Sequence, residues 1–189
     1  MVEAKDGIPT AAMNVLILDT ETTNLIANRS KKIDKQPHII EFYACDYDLS
    51  GDIMLSEYDA LIKPPIKISG EITKITKIDN SMVEDKAPFA NHADKIAALI
   101  EKSKIVIAHN ASFDQEMIDI EFERLGRKLK WPKLLCTVEA TLHLKGFRLS
   151  LTALHDILFG KGFPEAHRAK HDVEALTRCC VELHKRGEI

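Results

Sequence analysis

Residues 14–20 carry the uninterrupted apolar run Val15-Leu16-Ile17-Leu18, the pattern of a strand buried on both faces. Residues 38–48 and 53–63 read as two further strands on either side of Leu49-Ser50-Gly51-Asp52, a hairpin composition, so an antiparallel meander is predicted. Pro64-Pro65 ends that pattern, and residues 66–87 mix short apolar patches with Gly70, Asp79 and Asn80, as a loop with short helices does. The periodicity then changes. Ala93, Ile96, Ala97 and Ile100 share one face of a helix over 91–102, and Ile105-Val106-Ile107-Ala108 makes another buried strand. A helix over 111–125 follows, with Phe113, Met117 and Ile120 beside Ile118, Phe122 and Leu125, with Gln115, Glu116, Asp119 and Glu123 towards water, and with Gly126 as terminator. A short strand at 134–136 and helices at 138–144, 151–159 and 169–185 complete the chain. The last helix sets Ala169, Val173, Leu176, Cys180 and Leu183 on one inward stripe.

The chain has 189 residues and 45% hydrophobic content, enough for one well-filled core, so a single domain over 1–189 is expected. No apolar stretch is long enough to span a bilayer and residues 1–7 lack the basic and apolar regions of a secretory signal, so a cytoplasmic protein is expected. Cys45, Cys136, Cys179 and Cys180 have no framework spacing, which makes reduced thiols the expectation. A net charge of −3 argues against a protein that coats nucleic acid but not against one that grips a chain end. Two basic groups, Arg29, Lys31, Lys32 and Lys35, and Arg124, Arg127, Lys128, Lys130 and Lys133, are solvated faces or phosphate contacts.

Three segments carry candidate chemistry. Asp19 and Glu21 lie two residues apart at the end of the first strand, and side-chain alternation puts both on one face. At ~5 Å and an effective dielectric of about 20, two carboxylates repel by roughly 3 kcal/mol, so cations between them are the natural reason to keep both. Spacing alone is weak, because Asp46 with Asp48, Glu57 with Asp59 and Asp119 with Glu121 repeat it. The second segment, Ala108-His109-Asn110-Ala111-Ser112-Phe113-Asp114, passes from a strand end into a helix, with Asn110 as a candidate N-cap, Phe113 at a core position and Asp114 in the first turn. The third, Glu165-Ala166-His167-Arg168-Ala169-Lys170-His171-Asp172, places His167 on a loop and Asp172 on the last helix, with His171 a competing base. Zinc held by His167, His171 and Cys179 or Cys180 is disfavoured because the cysteines sit on a helix with one facing inward.

Taken together, Asp19-x-Glu21, His109-Asn-x-x-Phe-Asp114 and His167-x-x-x-x-Asp172 resemble, in order and spacing, the three motifs of the DEDDh family of 3′ to 5′ exonucleases. The text around them is similar to the family's epsilon-type proofreading members and their stand-alone relatives: Asp19-Thr-Glu-Thr-Thr-Asn-Leu25, Ile39-Ile-Glu41, Ala108-His-Asn, and Cys136-Thr137 before a helix. Histidine stands five residues before the last acid, and Arg168 occupies the place where a variant branch carries tyrosine. Asn24 replaces the usual glycine after the Asp-Thr-Glu-Thr-Thr run, a residue that tolerates left-handed backbone, and Thr76-Lys-Ile-Asp79 replaces the frequent His-Gly-Ile-Thr.

The resemblance implies a ribonuclease-H-like α/β fold: a mixed five-stranded sheet, three antiparallel strands first and two added in parallel, flanked by helices. It implies two Mg²⁺ or Mn²⁺ on Asp19, Glu21, Asp114 and Asp172, with His167 as general base. It also makes Thr20, Thr22, Asn24, Asn110 and Phe113 candidates for substrate contact, and a single-stranded DNA 3′ end the expected partner, with nucleoside 5′-monophosphates released. The alternatives are an exoribonuclease using the same centre and a non-catalytic nucleic-acid-binding module on the same fold. A polymerase or other replication protein is a candidate partner. Because the chain ends at Gly187-Glu188-Ile189, soon after the last helix, a stand-alone enzyme or one docking through its globular surface is expected.

Overall fold

A computed structural model describes residues 12–28, 32–163 and 167–189. Five strands form one sheet: β1 (Asn14–Thr22), β2 (Ile39–Asp48), β3 (Ile53–Leu61), β4 (Ile105–Ala108) and β5 (Lys133–Cys136). Their order across the sheet is β3-β2-β1-β4-β5, with β1 central. The first three strands pair antiparallel, whereas β4 joins β1 and β5 joins β4 in parallel. This is the mixed ribonuclease-H-like sheet that the resemblance implies, and its first three strands are the meander read from the hydrophobic pattern.

Seven α-helices accompany the sheet among the described residues: α1 (Gly70–Thr76), α2 (Asn80–Val83), α3 (Phe89–Lys102), α4 (Ala111–Arg124), α5 (Thr137–Ala140), α6 (Leu151–Phe159) and α7 (Ala169–Lys185). The alternation of β1 assigns them to two faces. Leu16 and Leu18 pack with Ala93, Ile96 and Ile100 of α3 and Met117, Ile118 and Phe122 of α4. Val15 and Ile17 point the other way and meet Val173, Leu176 and Cys180 of α7. Each face alone would leave a row of aliphatic side chains in water; covering both is what a strand without polar positions requires.

A bulge sits at the end of β1. Glu21 pairs with Glu41 but Thr22 pairs with Ile39, so Ile40 is passed over. Ile40 is fully buried, together with Ile68, Ile78 and Val83, beneath the segment that carries α1 and α2. Beyond the bulge the alternation of β2 is reset, so Glu41, Tyr43 and Cys45 look towards α7 while Phe42 and Ala44 join the opposite core.

Several boundaries agree with the hydrophobic pattern, including α6 and α7. Residues 138–144 depart from it. The helix breaks after Ala140 and resumes as a 3₁₀ turn over Leu142–Leu144. Thr141 is the cause: its hydroxyl bonds back to the Thr137 carbonyl at 2.7 Å and its backbone leaves the helical region, at φ −103° and ψ 9°. At the end of α4, Gly126 adopts φ +67° and Arg127 N–H closes on the Phe122 carbonyl at 2.9 Å, as the terminating glycine predicts. Leu125 does not join the core and is 38% exposed, whereas Glu121, on the same helix, is buried. Glu121 accepts from Ile39 N at 3.1 Å and lies 3.0 Å from Arg124, whose guanidinium also reaches the carbonyls of Ile33 and Gln36. Arg124 is thus an internal strut, which removes it from the basic group inferred above, whereas Arg127 stays on the surface, beside Asp94 and the Phe122 ring.

Ile17→Ala, at the junction of β1 and α7, is expected to cost about 3 kcal/mol in urea unfolding, within the range for buried aliphatic truncations. Leu55→Ala, on the outer edge strand and 53% exposed, is expected to change stability by less than about 0.5 kcal/mol.

Candidate active site

Odd positions of β1 face α7, and that face continues past Val15 and Ile17 to Asp19 and Glu21. The two acids therefore end the strand on the side where α7 begins. Thr20 points to the opposite side, and both its backbone N–H and its hydroxyl donate to Asp114 Oδ1, at 3.0 and 2.8 Å. Asp114 belongs to the first turn of α4 and is 2% exposed. Parallel pairing of β4 with β1 makes this meeting possible, because it delivers the start of α4 to the same sheet end as Asp19.

The turn between β4 and α4 uses its polar residues structurally. His109 Nε2 lies 3.0 Å from the Leu149 carbonyl, which can only accept, so that nitrogen carries the hydrogen and Nδ1 accepts from the Thr137 hydroxyl at 2.9 Å. Burial pushes the His109 pKa down, in keeping with a neutral ring. Asn110 occupies the position before α4, yet its side chain does not cap the helix. Its backbone is left-handed, at φ 68°, and its Oδ1 accepts from Arg148 at 2.8 Å. The cap expected of Asn110 is thus replaced by a bond to a distant loop.

α7 brings the third segment. His167 stands two residues before the helix, exposed and left-handed at φ 71°, and its backbone N–H donates to Asp172 Oδ2 at 2.9 Å. One ligand atom each from Glu21, His167 and Asp172 lie within 4.8 Å of one another. His167, rather than His171, joins this cluster. The zinc alternative is not met: Cys179 packs against Leu149 and Leu154, Cys180 against Val15 and Ile17, and both are fully buried. Burial raises both thiols, that of Cys179 to about 12, in keeping with their core positions.

The electrostatics match the crowding. Burial, then the charges of Asp114, Glu21, Asp172 and Glu41, raise Asp19 well above the carboxylate range. Glu21 is pushed up to about 8 by burial and by Asp172, Glu41 and Asp114, with Arg168 opposing. Asp114 rises to about 7 through burial, although the Thr20 hydrogen bonds pull it down, and burial also raises Asp172. All four shifts run in the same direction, towards the protonated form, as burial and like charge without a cation require.

Among the candidate substrate contacts, Thr20 and Thr22 are buried and turn their hydroxyls inward, to Asp114 and to the Asn24 carbonyl at 2.8 Å. Asn24 is exposed, and its Oδ1 accepts from Leu25 N at 2.8 Å. It forms this turn without the left-handed backbone expected of a glycine substitute. Asn110 meets Arg148 as described, and Phe113 is half-buried against the core on the α4 side. Arg29 and Lys31 of the first basic group, and Glu165 of the third segment, lie outside the described residues.

Two site neighbours escaped the residue-by-residue reading. Glu41, 1% exposed and opposite Glu21 in the sheet, is paired with Arg168. The signal was present: a lone carboxylate inside Ile39-Ile-Glu-Phe-Tyr-Ala-Cys45 has no place in a buried strand without a partner.

Comparisons with known proteins bear on this arrangement. The family model described as Exonuclease (RNase_T) matches residues 16–179. The DNA polymerase III subunit epsilon of Treponema pallidum (strain Nichols) is 30% identical over 171 residues, covering 87% of this chain and 72% of that protein. The 3′-5′ exonuclease DinG of Bacillus subtilis (strain 168) is 32% identical over 170 residues, covering 89% of this chain but only 17% of that protein. The solved nuclease domain of 3′hExo, a DEDDh family member bound to rAMP, shares the fold, with a TM-score of 0.76, 16% identity and 94% of each chain covered. The match over most of the chain, with its acids and histidine in the order that defines the DEDDh branch, means that the chain belongs to the exonuclease family and is a nuclease of DEDDh type.

Proposed function

We propose that this nuclease removes nucleotides from the 3′ end of single-stranded DNA, releasing nucleoside 5′-monophosphates. The observation that carries the proposal is the convergence of Glu21, His167 and Asp172 at the end of β1, where Asp19 and Asp114 also feel their charges. Hard cations fit this site: its acidic donors are all carboxylate oxygens, and their raised pKa values mark a place that lacks positive charge. Asp19, Glu21, Asp114 and Asp172 would hold two Mg²⁺ or Mn²⁺. Bound there, the pair would supply Lewis-acid stabilisation of charge on the phosphate and on the attacking and leaving oxygens.

The protein's own groups account for the remaining steps. Thr20 fixes one oxygen of Asp114 and leaves the other for ligation. His167, exposed and just ahead of α7, receives the proton of the attacking water on an imidazole nitrogen. Arg168 does not compete for that role, because its side chain turns inward to Glu41. Asn24 and Asn110 stand at the ends of the two segments that frame the acids and are candidates to position the terminal nucleotide, with Thr20, Thr22 and Phe113 behind them.

DNA is favoured because the Treponema relative is named as a DNA polymerase III subunit, which also makes a polymerase a candidate partner. The name of the DinG relative supports the 3′ to 5′ direction. RNA is the second reading, favoured by the rAMP bound to the 3′hExo nuclease domain. A family match over residues 16–179 supports one exonuclease domain, and four free cysteines support action inside the cell. In the described residues no helix is long and apolar enough to cross a membrane.

Asp19→Ala is expected to abolish magnesium-dependent release of mononucleotides, and His167→Ala to slow it by about 10²–10⁴-fold. Both are read by gel on end-labelled single-stranded DNA, matched RNA and duplex. Wild-type rates in both variants, or cuts inside the chain, would refute the assignment, and faster loss of RNA would select the second reading.

A pH dependence follows from the same acids. Glu21 has a folded pKa of about 8 against an ordinary 4.5, so the native state binds more protons than the unfolded one in that window. Stability of the metal-free protein should therefore fall as pH rises from about 4.5 to 8, and Mg²⁺ should raise the melting temperature more at pH 8 than at pH 6. Scanning calorimetry at both pH values, with and without Mg²⁺, measures this; a melting temperature indifferent to pH and metal would contradict it.

A further inference from the structure

The exposed histidine of the site has no helix or strand of its own to hold it. Its own backbone and the two residues that follow it do the holding. Its own N–H is taken by Asp172, and the next two residues are both taken by Glu41. Arg168 Nε lies 3.1 Å from each Glu41 oxygen, its Nη2 lies 2.6 Å from Oε1, and Ala169 N–H donates to Oε2 at 2.8 Å. Glu41 therefore acts as the N-terminal cap of α7 from a different strand. The helix needs one: α1 and α6 are capped by their own Ser69 and Ser150, whereas Arg168 at the head of α7 makes no side-chain cap bond.

We propose that the Glu41–Arg168 pair positions His167, so that the strand pair that sets Glu21 also sets the imidazole beside it. Glu41 is the register partner of Glu21, and the 1% exposure of its residue leaves it no solvent to turn to. Both of its oxygens are occupied by donors from residues 168 and 169, which makes it an anchor rather than a fifth ligand in the cluster. Arg168 in turn supplies a planar fork that an ammonium cannot reproduce. His167 needs such restraint because its left-handed backbone, at φ 71°, is one that a non-glycine residue holds only when neighbours over-determine it. The proposal treats Glu41 and Arg168 as positioning residues, and it rests on the reading of His167 as proton acceptor.

The test is a double-mutant cycle on single-turnover cleavage, with enzyme in excess and saturating Mg²⁺, on whichever of matched single-stranded DNA and RNA oligonucleotides is cut faster. Arg168→Ala should slow cleavage by about 10²-fold, the effect of a misplacement of around 1 Å, with oligonucleotide affinity changed by less than about threefold. In a His167→Ala background the same substitution should cost less than about threefold, because the group it positions is gone. Arg168→Lys keeps the charge but not the fork and should show the same pattern; it takes the place of the alanine variant if that variant does not fold. A merely structural arginine would cost the same factor in both backgrounds, and that result would overturn the proposal. If His167→Ala alone cleaves at the wild-type rate, it is the underlying assignment of the base that fails instead.

Discussion

Five carboxylates, Asp19, Glu21, Glu41, Asp114 and Asp172, crowd one end of a central sheet, and their mutual repulsion in a partly desolvated space is the constraint around which the site is arranged. Left to themselves these groups would separate or take up protons. Several features oppose separation. Asp19, Glu21 and Glu41 are fixed by the pairing of β1 with β2, Asp114 by two bonds from Thr20, and Asp172 by the first turn of α7. Arg168 neutralises Glu41, and the charge left on the other four acids is what the proposed divalent cations would offset.

The sheet makes that concentration affordable. Its central strand is covered on both faces, so the cost of gathering like charges at one end is borne by aliphatic packing along the rest of β1. The parallel addition of β4 matters as much, because it points the start of α4 at the same end as β1. Had β4 run antiparallel, the start of α4, with Asp114, would lie at the opposite end of the strands. The bulge at Glu21 and Thr22 makes a smaller adjustment, sending Ile40 beneath α1 and α2 while leaving Glu41 facing α7.

Much of this was legible in order of residues. The three acidic segments and their strand or helix positions follow from spacing and periodicity, whereas the choice of the histidine five residues before the last acid came from the family resemblance; family membership agrees with the segments. What was harder to read were groups whose partners are far away in sequence. Asn110 and Asn24 had the composition of a cap and of a left-handed turn, but the first bonds Arg148 and the second turns without positive φ. Glu121, which the sequence offered only as half of a repeated acid pair, is buried: His38 and Ile39 meet it from outside its helix and Arg124 from the next turn of α4. Asp19 and Glu21 stand apart from the acid pairs at the same spacing in closing the Val15-Leu16-Ile17-Leu18 strand, and in three dimensions Asp46 meets Lys102 and Glu57 meets Lys170 instead.

The sequence by itself determined most of the elements, their order and the three segments that carry candidate chemistry, because strand alternation, helical periodicity and motif spacing are local properties that survive without knowledge of contacts. Tertiary structure decided which histidine reaches the acids, that both Cys179 and Cys180 are core, and that Arg168 is tied to Glu41 across 127 positions of chain. Those choices depend on burial and on charge pairs between distant segments. Their free energies exist only once the sheet has brought the segments together.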